Sequence, residues 1–428
     1  MAKLSIQRTE LDNGFRIVAI DMPGRRSMTS FLTIRSGSRY ENDANNGVAH
    51  FLEHLVFKGT ERYPDNEAVA QAIEGVGGTI NAWTNFDHTA YWNIVPASAW
   101  RSGVAMPFEL AFRPRLAAPE MERERSVIIE EIRMYQDDPA RHISDLATAL
   151  LFKGNPLARP IIGTEEIIRT LPIEAFRQYR ETHYLPSQAV FVIVGDLGSQ
   201  DYMEVVNGYV GSLSAGPVTY PEPLGAMSQQ QIHVHEKKTD QTHFILGVAD
   251  PALGLKAEQD RYAAIVLNNL LGQGMSSRLF LQVREKQGLA YAISSYYDTL
   301  EDAGSLTVYG GVNTDNVAQA LRSVRQELSR LQNELVPSAE LKQAKAHVNG
   351  AYDISADNPI HLATWYGTDW LLGRWETHDQ VEAAINQVTS QQIRELAQRL
   401  FQPEHLTLAV IGPHQNDQVF VEALNATV

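Results

Sequence analysis

The chain has 428 residues, too many for one compact core, so two domains or more are expected. Hydrophobic residues are 44% and charged residues 20%, ordinary for a globular protein, and the lack of any cysteine excludes disulfides and thiolate metal sites. A net charge of −15 without a basic patch argues against nucleic acid, and no apolar run is long enough to span a membrane. Residues 1–8 lack the apolar core of a secretory signal, so a cytoplasmic location is expected.

A strand is predicted at residues 30–35, and after it comes His50-Phe51-Leu52-Glu53-His54. On a helix, residues four apart lie on one face, so His50 and His54 can reach one metal ion while Glu53 projects beside it. Two imidazole ligands and a carboxylate free to take a proton are what zinc hydrolysis requires. The order inverts the commoner His-Glu-x-x-His arrangement. A histidine pair on a helix is more often structural, so the motif needs a third ligand.

A second strand is predicted at 91–95 and an acidic helix at 119–136. A catalytic zinc takes three protein ligands and a water, and the third ligand here should be a carboxylate, since there is no cysteine and no other histidine stands in a comparable context. Glu130 and Glu131 are the candidates. They point about 100° apart on a helix, and periodicity does not choose between them. Glu124 lies two turns before Glu131 on the same face, where it can orient a ligand or the water. Taken without the histidines, this helix reads as a solvated face paired with Arg123, Arg125 and Arg133.

A helix at 171–184 and an apolar strand at 189–196 close the first half. Residues 211–231 carry Gly216-Pro217, Pro221, Pro223 and Gly225, which is linker chemistry. His233-Val234-His235 puts two imidazoles on one strand face, and a surface strand explains them without metal. The later elements repeat the earlier ones in order: a strand at 244–248, a strand at 306–310, helices at 337–354 and 388–401, and a strand at 406–413. Residues 49–59 align with 264–274, where His50, Glu53 and His54 become Ile265, Asn268 and Asn269. The predicted fold is therefore α+β, with two homologous domains, each a mixed or antiparallel sheet covered by helices on one side. Residues 1–213 form the metal-binding domain, 214–231 the linker, and 232–428 a domain of the same fold whose metal site is lost.

These motifs resemble the pitrilysin/insulinase family of zinc peptidases, the inverzincins, and within it the two-domain branch of mitochondrial processing peptidase and its bacterial homologues. The family's spacing from the histidine motif places its third ligand on Glu131 and its auxiliary acidic residue on Glu124. Residues 276–291 are similar to the family's Arg/Tyr element, with Arg284 and Tyr291 matching the pair that contacts the substrate carbonyl. A guanidinium and a phenol are suitable donors to a developing oxyanion. Residues 79–84 resemble the edge strand to which a peptide adds at Asn81-Ala82. Asn155-Pro156-Leu157-Ala158-Arg159-Pro160 also matches, with Ala158 where glycine is usual, and reads as structural. The long glycine-rich loop of the non-catalytic mitochondrial subunit is here only Leu271-Gly272-Gln273-Gly274-Met275.

The resemblance implies a zinc endopeptidase with one Zn2+ per chain, held by His50, His54 and Glu131, with Glu53 as the catalytic base. It implies hydrolysis of short or unfolded peptides inside a closed dimer chamber. One half carries the metal and the other the oxyanion donors, so a homodimer is expected, with a heterodimer of homologous chains as the variant. The competing reading is a non-catalytic or weakly active scaffold or peptide-binding subunit.

Overall fold

The first sheet contains β1 (Ser5–Glu10), β2 (Arg16–Asp21), β3 (Ser27–Ile34), β4 (Thr79–Thr84), β5 (Thr89–Pro96) and β6 (Ala189–Gly195). These elements are taken from a computed structural model that describes residues 5–198 and 200–425. The strand order is β1-β2-β6-β3-β5-β4, with β2 and β6 parallel and all other neighbours antiparallel. The second sheet contains β7 (Gln231–Glu236), β8 (Gln241–Asp250), β9 (Ala290–Thr299), β10 (Gly304–Asn313) and β11 (Thr407–Gly412). Its order is β7-β11-β8-β10-β9, and again a single pair, β7 with β11, is parallel. Without β1 the two orders are the same, so the internal repeat holds in topology as well as in sequence.

The chain forms two compact units. One comprises Met1–Arg133, Arg159–Pro221 and Ile354–Glu376; the other comprises Met134–Ala158, Glu222–Asp353 and Thr377–Val428. Two segments, each carrying a helix, are exchanged between the units. Pro139–Leu151 belongs to the second unit and packs on β8 and β11, while Pro359–Leu371 belongs to the first and packs on β3 and β6. Each covers the second face of its sheet. The expectation of helices on one side is corrected accordingly: both faces carry helices. The physical trace of this is in β6 and β11, which are buried at every residue and read as continuous apolar runs, as strands covered on both faces do. At the contact a glycine is required for close approach. A Cβ on Gly367 would lie 2.9 Å from the Phe31 ring and 3.0 Å from the Val192 side chain.

Helix Val48–Val56 carries the histidine motif. It buries Val48, Ala49, Phe51, Leu52, Leu55 and Val56 in the first unit's core, with Phe51 edge-on to Phe176 at 4.8 Å. Burying each large side chain contributes about 1.5–3 kcal/mol, so this face fixes the helix's rotation and leaves His50, Glu53 and His54 on the remaining stripe. Its first turn is held from outside. The Glu41 carboxylate accepts from Gly47 N–H, Ala49 N–H and Asn46 Nδ2, each at 2.8 Å, as a capping side chain would. Arg159 in turn donates to the Glu41 carbonyl at 2.9 Å, and Asn46 to the Pro160 carbonyl at 3.0 Å. Arg159 and Pro160 therefore brace the loop that starts the motif helix. Among the described residues no helix is long and apolar enough to cross a membrane.

Candidate metal centre

His50 and His54 rise from one face of the motif helix with ring centroids 4.8 Å apart. Helix Ala118–Asp137 brings Glu131 against them: its Oε2 is 3.9 Å from His50 Nε2 and 3.7 Å from His54 Nε2. Among the described residues, this is the one group of three or more His, Cys, Asp or Glu whose ligand atoms all fall within 4.8 Å of one another. Ligands about 2.1 Å from a tetrahedral zinc stand about 3.4 Å apart, so Glu131 Oε2 is within about half an ångström of that separation from each imidazole nitrogen. Glu130 points away and pairs with Arg133 at 2.7 Å on the exposed side. The two carboxylates that periodicity left open are separated by their surroundings.

The donor chemistry fits a zinc ion. Burial, with help from His54, lowers His50 to about 3, which keeps its imidazole neutral and its Nε2 lone pair free. Its Nδ1 is buried with no hydrogen-bond partner. His54 differs. Burial would lower it, but the hydrogen bond from its Nδ1 to Glu124 Oε1 at 2.9 Å and the charges of Glu53 and Glu131 raise it overall. That bond also turns His54 Nε2 toward the site, the usual task of a carboxylate behind a ligating imidazole. Burial pushes Glu124 up, yet its bonds to His54 and to Lys58, the latter at 2.6 Å, hold it below the ordinary carboxylate value.

Glu53 stands beside this cluster without joining it. Burial raises its carboxyl, partly offset by a hydrogen bond donated by Thr84 Oγ1 at 2.7 Å. A half-buried carboxyl raised in this way suits proton transfer. Thr84 ends β4, which is the free edge of the first sheet. Asn81 and Ala82 lie on that edge, where the Asn81 side chain accepts from Ala82 N–H at 2.8 Å.

Arg284 and Tyr291 lie on the second unit. Arg284 sits in a π-helical segment, Phe280–Lys286, with its guanidinium 4.9 Å from the Phe280 ring and 5.8 Å from the Tyr291 ring. Such segments are rare and concentrate at functional sites. Tyr291 is 77% exposed, an unusual position for a tyrosine whose only task is packing. The structure thus brings His50, Glu53, His54, Glu124 and Glu131 into one cluster beside the Asn81–Ala82 edge, and Arg284 and Tyr291 into another. His233 and His235 lie on edge strand β7, with His235 against His142 at 5.1 Å.

At the position equivalent to the metal site, the second unit keeps the hydrogen bonds and loses the ligands. Ser295 Oγ donates to Asn268 Oδ1 at 2.6 Å, echoing Thr84 and Glu53. Asn269 Nδ2 meets His347 Nδ1 at 2.7 Å, echoing the contact of His54 with Glu124. Sequence reasoning missed Glu41, Lys58 and Thr84. Lys58 had a signal, one helical turn beyond His54, and Thr84 shares a strand face with Ala82. Glu41 had none, because its partners are two backbone amides and the Asn46 side chain, which no spacing rule ties to it.

Residues 16–165 match the family model described as Insulinase (Peptidase family M16), and residues 170–348 the one described as Peptidase M16 inactive domain. An uncharacterized zinc protease of Bacillus subtilis is 33% identical over 418 residues, covering 96% of this chain and 99% of that protein. The chain belongs to peptidase family M16. A second M16 relative, an uncharacterized zinc protease of Mycobacterium leprae, is 30% identical over 426 residues, covering 98% of this chain and 95% of that protein. A solved protease structure from Helicobacter pylori matches with a TM-score of 0.88, covering 96% of this chain and 100% of that chain; at 22% identity the likeness speaks for the M16 fold. The "inactive domain" description suits the second unit, where Ile265, Asn268 and Asn269 stand at the positions of His50, Glu53 and His54.

Proposed function

We propose that this M16 chain is a zinc endopeptidase acting on short or unfolded peptides. The observation that carries the reading is Glu53, a half-buried carboxylate held by Thr84 beside the convergent His50, His54 and Glu131. His50, His54 and Glu131 would hold the zinc ion, one per chain, and when bound it would supply Lewis acidity for peptide hydrolysis. Glu53 accepts the proton given up by the water and returns it to the leaving amine. The free edge of β4 holds the peptide backbone as an added strand, which explains tolerance of varied sequences. Arg284 and Tyr291 donate to the oxyanion. The chamber forms from two copies, with the metal-bearing unit of one presented to the Arg284–Tyr291 unit of its mate.

The test is Glu53→Gln, assayed with an internally quenched peptide alongside metal analysis. Zinc content and peptide binding stay near native, and hydrolysis falls by about 10²–10⁴. A variant that cleaves as fast as the native protein ends the reading; one that never differed because the native protein only binds peptides points to a binding module.

A further inference from the structure

Lys58 stands one turn beyond His54, just past the end of the motif helix. Its Nζ is 2.6 Å from Glu124 Oε2, and Glu124 Oε1 is 2.9 Å from His54 Nδ1. Glu124 is only 6% exposed, and these two side chains are the hydrogen-bond partners of its two oxygens. The backbone beneath Lys58 is fixed. Lys58 N–H donates to the Leu55 carbonyl at 3.0 Å, and Arg115 N–H to the Gly59 carbonyl at 3.0 Å. Gly59 has φ 136, and a Cβ there would meet the Pro64 carbonyl oxygen at 2.8 Å, so the turn depends on glycine. The ammonium is thus delivered from a rigid turn rather than from a free surface chain.

We propose that Lys58 is a positioning residue for the metal site: it clamps the outer oxygen of Glu124 so that the inner oxygen holds the His54 ring with Nε2 facing His50 and Glu131. The inference rests on the metal-centre reading above. Glu53, Glu124 and Glu131 put three carboxylates around two imidazoles, and Lys58 is the cation paired with that group. Without it, a nearly buried carboxylate keeps a single partner and is free to turn away from His54. A carboxylate that orients a ligating imidazole influences metal affinity by about 10–100-fold, and the same scale applies to the group that orients the carboxylate.

The experiment measures zinc affinity by competition with a chromophoric chelator, and melting of the metal-free protein, for native, Lys58→Met and Lys58→Arg chains. Lys58→Met keeps the lysine's apolar stem and removes the charge. The expected result is zinc binding weakened about 10–100-fold in Lys58→Met, and zinc binding within about threefold of native with native metal-free melting in Lys58→Arg. Native affinity in Lys58→Met overturns the proposal. So does equal weakening in both variants with a matching drop in metal-free melting, which assigns Lys58 to packing alone. A native chain that takes up no zinc overturns the metal-centre reading itself, and this proposal with it. Lys58→Gln serves in place of Lys58→Met if the latter does not fold, with the same outcomes.

Discussion

Thr84 Oγ1 donates a 2.7 Å hydrogen bond to Glu53 Oε2. The strand proposed to hold the peptide therefore also holds the proposed base. Valine at position 84 keeps the β-branched shape and removes the donor. A hydrogen bond to a charged group is worth about 1.5–3 kcal/mol, so Thr84→Val should lower kcat by about 10–100-fold. Zinc content should be unaffected, and Thr84→Ser should stay within a few-fold of native. Steady-state kinetics on a quenched peptide decide it; a valine variant with native kcat removes Thr84 from the mechanism.

Glu130 and Glu131 are neighbours in sequence with opposite surroundings. Glu131 faces both imidazoles, whereas Glu130 pairs with Arg133 on the exposed side. Glu131→Gln should lose zinc under dialysis that leaves the native protein loaded. Glu130→Gln should keep its zinc and lose no more than about 1 kcal/mol of stability, the usual size of an exposed pair. Metal analysis of the two variants side by side checks the assignment, and comparable zinc loss in both would refute it.

The motif helix and the acidic helix were legible because their information is local. The spacing of His50, Glu53 and His54 already puts them on one stripe. The repeat was legible because β6 and β11 are continuous apolar runs with matching neighbours. What periodicity could not show is partnership across the fold. Pro139–Leu151 and Pro359–Leu371 are ordinary amphipathic stretches, and nothing in their own sequence says which sheet they cover. The choice between Glu130 and Glu131 was equally closed to periodicity, since spacing along one helix does not say which of its faces meets the histidines. The roles of Lys58 and Thr84 arise from contacts with Glu124 and Glu53 across elements, which no spacing rule encodes.

His183 supplies a pH prediction. Its ring lies 4.6 Å from that of Tyr179 and 5.5 Å from that of Tyr40, and burial lowers it to about 4. In the unfolded chain it titrates near 6.5. Between these values the unfolded state binds the extra proton, so this contribution to stability is complete above about 6.5 and is lost as pH falls toward about 4. The urea midpoint of the metal-free protein should therefore fall between pH 7 and pH 5, and fall less in His183→Gln. His50, shifted the same way, contributes equally to both proteins and cancels in the comparison. Identical pH dependence in native and variant would show that His183 is not held neutral.

Two helical glycines should respond oppositely to substitution. A Cβ at Gly350 meets nothing within 4 Å, so Gly350→Ala should stabilise the protein by about 0.5–1 kcal/mol through backbone entropy and helix propensity. At Gly367 the Phe31 ring and Val192 leave no room. Gly367→Val should cost about 1–3 kcal/mol by prying the helix off its sheet. Urea midpoints measure both; a Gly367→Val protein as stable as the native one would mean that this helix does not pack tightly there.

The two-copy chamber makes a prediction that a single chain with a complete site does not. Arg284→Ala alone should retain zinc and lose turnover, and Glu53→Gln alone should do the same. Unfold the two inactive proteins together, refold them and restore zinc, and half of the dimers are mixed. In a mixed dimer the Glu53 of one copy meets the Arg284 of the other at one of the two sites, so about a quarter of native activity should return. If each chain completes its own site, every site in the mixture lacks one group and activity stays at the level of the parents. Sedimentation of the refolded mixture shows whether dimers formed, so that inactivity with dimers present counts against the shared chamber.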